Sequence, residues 1–306
     1  ATIVLITILR KLVKDGNLRM WYAGMIIVAA NAGGAWSPIG DVTTTMLWMG
    51  NKVTAMQLII KLLLPSLVCM IIPTVIASFL PAFKGNMAAD EDGEDETSPH
   101  GTKMLVLGLL MIVFVPIFKT VTHLPPYVGM MLSLSIVALV AEFISSREFS
   151  MTSVAEHESS GSHHSSPTFG ALSKIEMPSI LFFLGILMTV AAMESLGLIF
   201  NFGQDVNKAL NTDVFITLLG AGSAVIDNVP LVAASMGMFQ HEIDHETWHF
   251  IAYAAGTGGS MLIIGSAAGV VAMGMEKISF FWYLKKISLL ALVGYLAGVA
   301  VFLLFK

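Results

Sequence analysis

The chain has 306 residues, 56% of them hydrophobic and 12% charged, with a net charge of −5 and a mean hydropathy of +0.80. That is far too apolar for a soluble domain of this length and marks a polytopic membrane protein. The acids concentrate in one hydrophilic loop, so the charge gives no sign of nucleic-acid binding, and a single Cys69 excludes a disulfide framework.

Ala1 to Leu9 is apolar but shorter than the ~20 residues a spanning helix needs, so it reads as the second arm of a re-entrant or truncated segment. It opens with neither an initiator Met nor a signal-peptide n-region, and the chain is therefore expected to be a fragment. The polar loop RKLVKDGNLR follows. Met20 to Gly40 is uncharged, but its second half runs into AANAGGAWSPIGDVTTTM (Ala29 to Met46), and helix is expected to resume at Asp41 to Met49. Glycines, a proline and polar side chains at membrane depth survive only where they line a protein cavity, because lipid offers no hydrogen-bond partner to an irregular backbone.

Leu62 to Phe83 is a full span in which Pro65 and Pro73 predict kinks. Lys84 to Lys103, with its acidic run DEDGEDE, reads as a solvated connector, and Met104 to Phe118 and Pro125 to Ala141 as the next spans. Residues 1–145 form the first half of the chain, with a broken span at 20–51. Ser146 to Glu176 shifts to Ser, His, Glu and Gly, including His163 and His164, and lacks the apolar content to order itself. It reads as a linker.

Residues 177–306 form the second half. Met177 to Phe200 is a span carrying Glu194, and Val206 to Phe239 rises and returns around GSAVIDNVP as a re-entrant hairpin turning at Gly222, Asp227 and Pro230. Thr247 to Met275 is a second broken span, and Ile287 to Phe305 is the last one. Ala254 to Gly265 (AAGTGGSMLIIG) repeats Ala29 to Gly40 (AANAGGAWSPIG) at a constant offset of 225 residues, with Ala, Ala, Gly, Gly, Ile and Gly matching. Paired broken segments point to a secondary transporter. The fold class is thus an all-α polytopic membrane protein with inverted-topology repeats, broken helices and re-entrant hairpins.

Loop charge gives an orientation, because Lys and Arg in short loops stay inside. Arg10, Lys11, Lys14 and Arg19 place the first loop inside; QHEIDHETW, with three acids and no Lys or Arg, belongs outside; EKISFFWYLKK returns inside.

The chemistry at the breaks suits a small hard cation, which takes oxygen donors from carboxylates, amides, hydroxyls and freed carbonyls. Asn31, Ser37, Asp41, Thr43 and Thr44 supply one set, and Ser223, Asp227, Asn228, Ser260 and Ser266 a second, with Glu194 as a further intramembrane acid. Proton and cation compete for a carboxylate held away from bulk water. If the protein changes its facing only when proton- or cation-loaded, one-for-one exchange follows. Asp41 as a plain helix-end acid, and the glycines as plain close packing, are the duller readings.

NAGGAWSPIGDVTTTM and GSAVIDNVPLVAASM resemble the signature segments of NhaD-type sodium/proton antiporters, in the ion transporter superfamily of inverted-repeat carriers. The resemblance implies exchange of Na⁺ or Li⁺ for H⁺ with no cofactor, membrane lipid as surroundings, a homodimer, and a bacterial inner membrane. It also implies an Asp-Asn counterpart of Asp227-Asn228 in the first half, expected just before Ala1. Two alternatives stay open. One is a sodium-coupled dicarboxylate symporter or arsenite-type carrier of the same architecture. The other is a zinc hydrolase built on His241-Glu242-Ile243-Asp244-His245, whose H-E-x-x-H spacing needs a helix and a substrate cleft. His241, His245 and His249 also titrate in the range of a sensor of external pH.

Overall fold

The computed structural model describes residues 2–83, 101–122, 124–152 and 177–306. The acidic run at 90–96 and most of the Ser/His-rich linker, His163 and His164 included, lie outside the described residues. Among the described residues all regular structure is helical. The helices are α1 (Thr2–Leu12), α2 (Gly16–Ala35), α3 (Val42–Met49), α4 (Ala55–Ser78), α5 (Gly101–Thr122), α6 (Pro126–Thr152), α7 (Met177–Ser195), α8 (Leu198–Ala209), α9 (Thr212–Gly222), α10 (Asn228–Met238), α11 (Glu246–Gly258), α12 (Ala267–Glu276), α13 (Phe280–Lys286) and α14 (Ser288–Leu304).

The chain divides into two compact units, 1–92 with 185–306, and 93–184. In the smaller unit, α5 and α6 pack against one another, and Ser133 Oγ donates to the Met111 carbonyl at 3.1 Å. In the larger unit, α1 lies against α2 and α12, while α10 lies against α11 and α3. Each broken helix is therefore gripped by a short helix that also touches the far arm of the other. The arms α2 and α11 touch each other as well.

Three helices among the described residues are long and apolar enough to cross a membrane: Ala55–Ser78, Gly101–Thr122 and the Pro126–Ile144 part of α6. A fourth span results if α13 and α14, bent by 53° at their junction, count as one. Many large apolar side chains on these helices are exposed, as lipid contact requires and water would penalise.

Several boundaries depart from expectation for local reasons. The first polar loop shrinks to three residues, because α1 extends through Arg10 to Leu12 and Asp15 caps α2 by accepting from Asn17 N at 3.0 Å. Pro65 and Pro73, where kinks are expected, both lie buried inside α4, which begins at Ala55 and ends at Ser78 rather than running from Leu62 to Phe83. Pro73 offers no N–H to the Cys69 carbonyl, and α14 approaches that carbonyl through Gly294, which presents no side chain there. The span expected at 177–200 stops at Ser195. Gly197 turns the chain with φ +70°, and α8 then packs on α10 as a separate helix. The hairpin arms are α9 and α10, so residues 206–211 fall outside it. The linker's first residues, 146–152, continue α6.

Candidate functional site

The two breaks are built alike. α2 ends at Ala35 and the chain turns through Trp36 to Asp41 before α3; α11 ends at Gly258, and a 3-10 turn at Gly259–Met261 followed by Leu262 to Ser266 leads into α12. In each, two glycines meet across the turn: a side chain on Gly40 would stand 2.5 Å from the Gly34 carbonyl oxygen, and one on Gly259 would stand 2.5 Å from the Gly265 oxygen. The equivalent residues Asp41 and Ser266 then cap the second arms. Asp41 Oδ1 accepts from Val42 N at 2.8 Å, and Ser266 Oγ from Gly269 N at 3.2 Å.

Both caps are reached from the other half of the chain. Asn228, at the start of α10, donates its amide Nδ2 to Asp41 Oδ2 at 3.1 Å, and Thr43 Oγ1 donates to the same oxygen. Asn31, in α2, donates to Ser266 Oγ at 3.0 Å. Asp227 caps α10 without a side-chain capping bond and directly precedes the Asn228 that reaches Asp41. Gly256 lets α11 lie close against the end of α2, since a Cβ there would stand 3.1 Å from the Ala35 Cβ.

The other expected residues divide. Thr44 is fully buried and its hydroxyl donates to the Ser37 and Asp41 carbonyls at 2.8 and 2.9 Å, so Ser37 contributes a carbonyl that holds the turn. Ser223 spans the hairpin and α11 through the Gly220 and Ala255 carbonyls, at 2.7 and 3.3 Å. Ser260 donates to the Thr257 carbonyl at 2.7 Å while its own carbonyl accepts from Tyr283 Oη at 2.7 Å, so it secures the second break. Glu194 stands apart, exposed at the end of α7 beside Gly237. Gly256 and the acid Glu276 at the end of α12 escaped the reading of the sequence. The former hides in a Gly-rich run, and the latter's only signal is one acid closing an apolar stretch.

His241 to His245 is a loop, which removes the helical face a zinc hydrolase needs. The imidazoles of His241 and His245 stack with centroids 4.0 Å apart and planes 7° from parallel. Asp244 in this loop accepts from Thr54 N and Oγ1 at 2.7 and 2.9 Å, tying it to the start of α4. Partial burial, then His245 and Lys52, hold the His241 pKa below its ordinary 6.5. The unfolded chain therefore binds the proton more readily, and stability present above about pH 6.5 is lost as the pH falls through that value. Thermal unfolding between pH 7 and 5 should show a decline that is shallower in His241→Gln. A decline unchanged by the substitution assigns it to other groups.

Apolar helices broken at polar, glycine-hinged turns, with each turn completed from the opposite half, define an integral multi-pass membrane transporter. The sequence signature of the citrate transporter family, CitMHS, matches residues 1–249. The chain belongs to that family, among its NhaD-type antiporters, and the family is one of transporters rather than enzymes. It is 40% identical to sodium/proton antiporter 1 of Arabidopsis thaliana over 99% of its own length, and 38% identical to sodium/proton antiporter 2 of the same plant over 99%. Over 91% of its length it is 35% identical to the Na⁺/H⁺ antiporter NhaD of Alkalimonas amylolytica. The chain spans 52%, 71% and 59% of these three relatives, respectively. No solved structure matches it.

Proposed function

We infer that the protein exchanges Na⁺ or Li⁺ for H⁺ across a membrane by alternating access, with Asp41 and Asp227 taking up cation and proton in turn. The observation that carries this reading is the Asp41 carboxylate, held by Thr43 and by Asn228 from the other half, with the second acid, Asp227, the residue immediately before Asn228. The amide oxygens of Asn31 and Asn228, the hydroxyls of Thr43 and Ser266 and the carbonyls at the ends of α2 and α11 complete an oxygen-rich set suited to a small hard cation. No cofactor enters the cycle. The two halves are related as inverted repeats, which brings each polar break against the other's hairpin arm. The exchanger works as a homodimer in lipid. The NhaD resemblance puts it in a bacterial inner membrane, and the Arabidopsis relatives extend the setting to the membranes of a plant cell.

Purified protein in vesicles with an imposed pH gradient tests this directly. Addition of Na⁺ or Li⁺, but not choline, should dissipate the gradient. The family's description as citrate transporters favours one second reading, a sodium-coupled carrier of carboxylate anions. Proton movement that requires added citrate or dicarboxylate would establish that reading and displace the antiporter.

A further inference from the structure

Glu276 ends α12 with its side chain 3% exposed, and two guanidiniums from the first half hold it: Arg10 Nε at 2.6 Å on Oε1 and Arg19 Nε at 3.0 Å on Oε2. Arg19 also donates to the Val13 and Lys14 carbonyls at 3.3 and 3.2 Å, so the same residue closes the connection between α1 and α2. An acid at the last position of a helix opposes the helix dipole. Helix stability therefore gives no reason for a glutamate here, and the ion pairs do.

Those pairs have a counterpart at the other end of the same two helices. α2 runs from Arg19 towards Asn31, while α12 runs from Ser266 towards Glu276. Arg19 meets Glu276 at one end and Asn31 meets Ser266 at the other. α2 and α12 are thus antiparallel rods pinned at both ends, roughly 15 to 18 Å apart at 1.5 Å per residue. With the far end fixed by a bidentate acid between two arginines, α12 cannot slide along α2. A slip of one residue would move Ser266 by about 1.5 Å relative to Asn31, more than cation coordination tolerates.

We propose that Glu276, clamped by Arg10 and Arg19, is a positioning residue for the cation site, setting the register of α12 so that Ser266 and Asn31 stand at coordinating distance. The proposal rests on the cation-binding part of the function inferred above and is independent of proton coupling. Sodium binding is read as the rise in unfolding temperature with added NaCl against choline chloride, which needs no transport. Glu276→Gln should raise the Na⁺ concentration for half-maximal stabilisation, and the KM for Na⁺ in exchange, by about tenfold. The maximal exchange rate should fall less than threefold. Glu276→Asp, which keeps the charge on a shorter stem, should leave the unfolding temperature in choline near the parent value and still shift KM.

If Glu276→Gln does not fold, Arg10→Lys takes its place, since it keeps the charge of a half-exposed residue and loses the Nε contact; a smaller rise in KM is expected. A folded variant with the parent's Na⁺ dependence overturns the proposal, as does a fall in maximal rate without a change in KM. A parent protein that sodium stabilises but that moves no protons defeats the exchange reading and leaves the positioning role standing.

Discussion

Asp41→Asn should leave the protein folded and without exchange. Asparagine caps a helix as well as aspartate does, so its carbonyl oxygen can go on accepting from Val42 N and α3 should keep its start. The second oxygen is where the change bites. Asn228 Nδ2 and Thr43 Oγ1 both donate to Asp41 Oδ2, and an amide NH₂ in that place meets the Asn228 amide donor to donor. A contact between a charged and a neutral group, typically about 1.5–3 kcal/mol of stability, is lost, and with the carboxylate charge gone cation affinity falls as well. The amide also takes up no proton, so one of the two acids that trade proton for cation is gone. The measurement is sodium-driven proton movement in vesicles, alongside the unfolding temperature. A helix-capping role alone predicts near-normal exchange in this variant, and that result would remove Asp41 from the transport cycle.

Gly40→Val should prevent the first break from forming. A Cβ at Gly40 would stand 2.5 Å from the Gly34 carbonyl oxygen and 2.8 Å from the Gly34 Cα, and both are backbone atoms that no side-chain rotation moves aside. Relief requires opening the turn that sets Asp41 over α3, with Thr44 and its bonds to the Ser37 and Asp41 carbonyls drawn along. The control lies seven residues earlier: a Cβ on Gly33 meets nothing within 4 Å, so Gly33→Ala should gain about 0.5–1 kcal/mol from helix preference. Expression, unfolding temperature and Na⁺-dependent stabilisation of the two variants, measured together, check the assignment. Equal tolerance at 33 and 40 would mean that the glycine contact across the turn is not what shapes the break.

The breaks were legible because lipid makes them so. An uncharged run interrupted by Gly-Gly, Ser-Pro and Gly-Asp cannot cross lipid as plain helix, and the repeat at an offset of 225 gave the second break independently. Asp41 and Asp227 were legible as acids where acids are costly. What stayed hidden depends on which distant residues meet. Nothing near Glu276 announces Arg10 and Arg19, and nothing local distinguishes Ser266, reached by Asn31, from Ser260, whose hydroxyl and carbonyl are both spent on securing the turn. Pro65 and Pro73 read only as kinks because the rule for them is local; their buried place against the glycine face of α14 is tertiary. Gly197, whose positive φ separates α7 from α8, lies in an apolar stretch that looks continuous.

The hydrogen bonds that complete the two breaks join residues 187 and 235 positions apart, and this has a bearing on biosynthesis. A membrane protein enters the bilayer from its N-terminal end as it is made, so the first break reaches the membrane while Asn228 and Ser266 are still to be translated. Until they arrive, Asp41 and Asn31 have none of their partners from the second half, and lipid supplies no substitute. The insertion machinery or bound water must shelter the first broken segment in that interval, and the site closes only as the last third of the chain is threaded in.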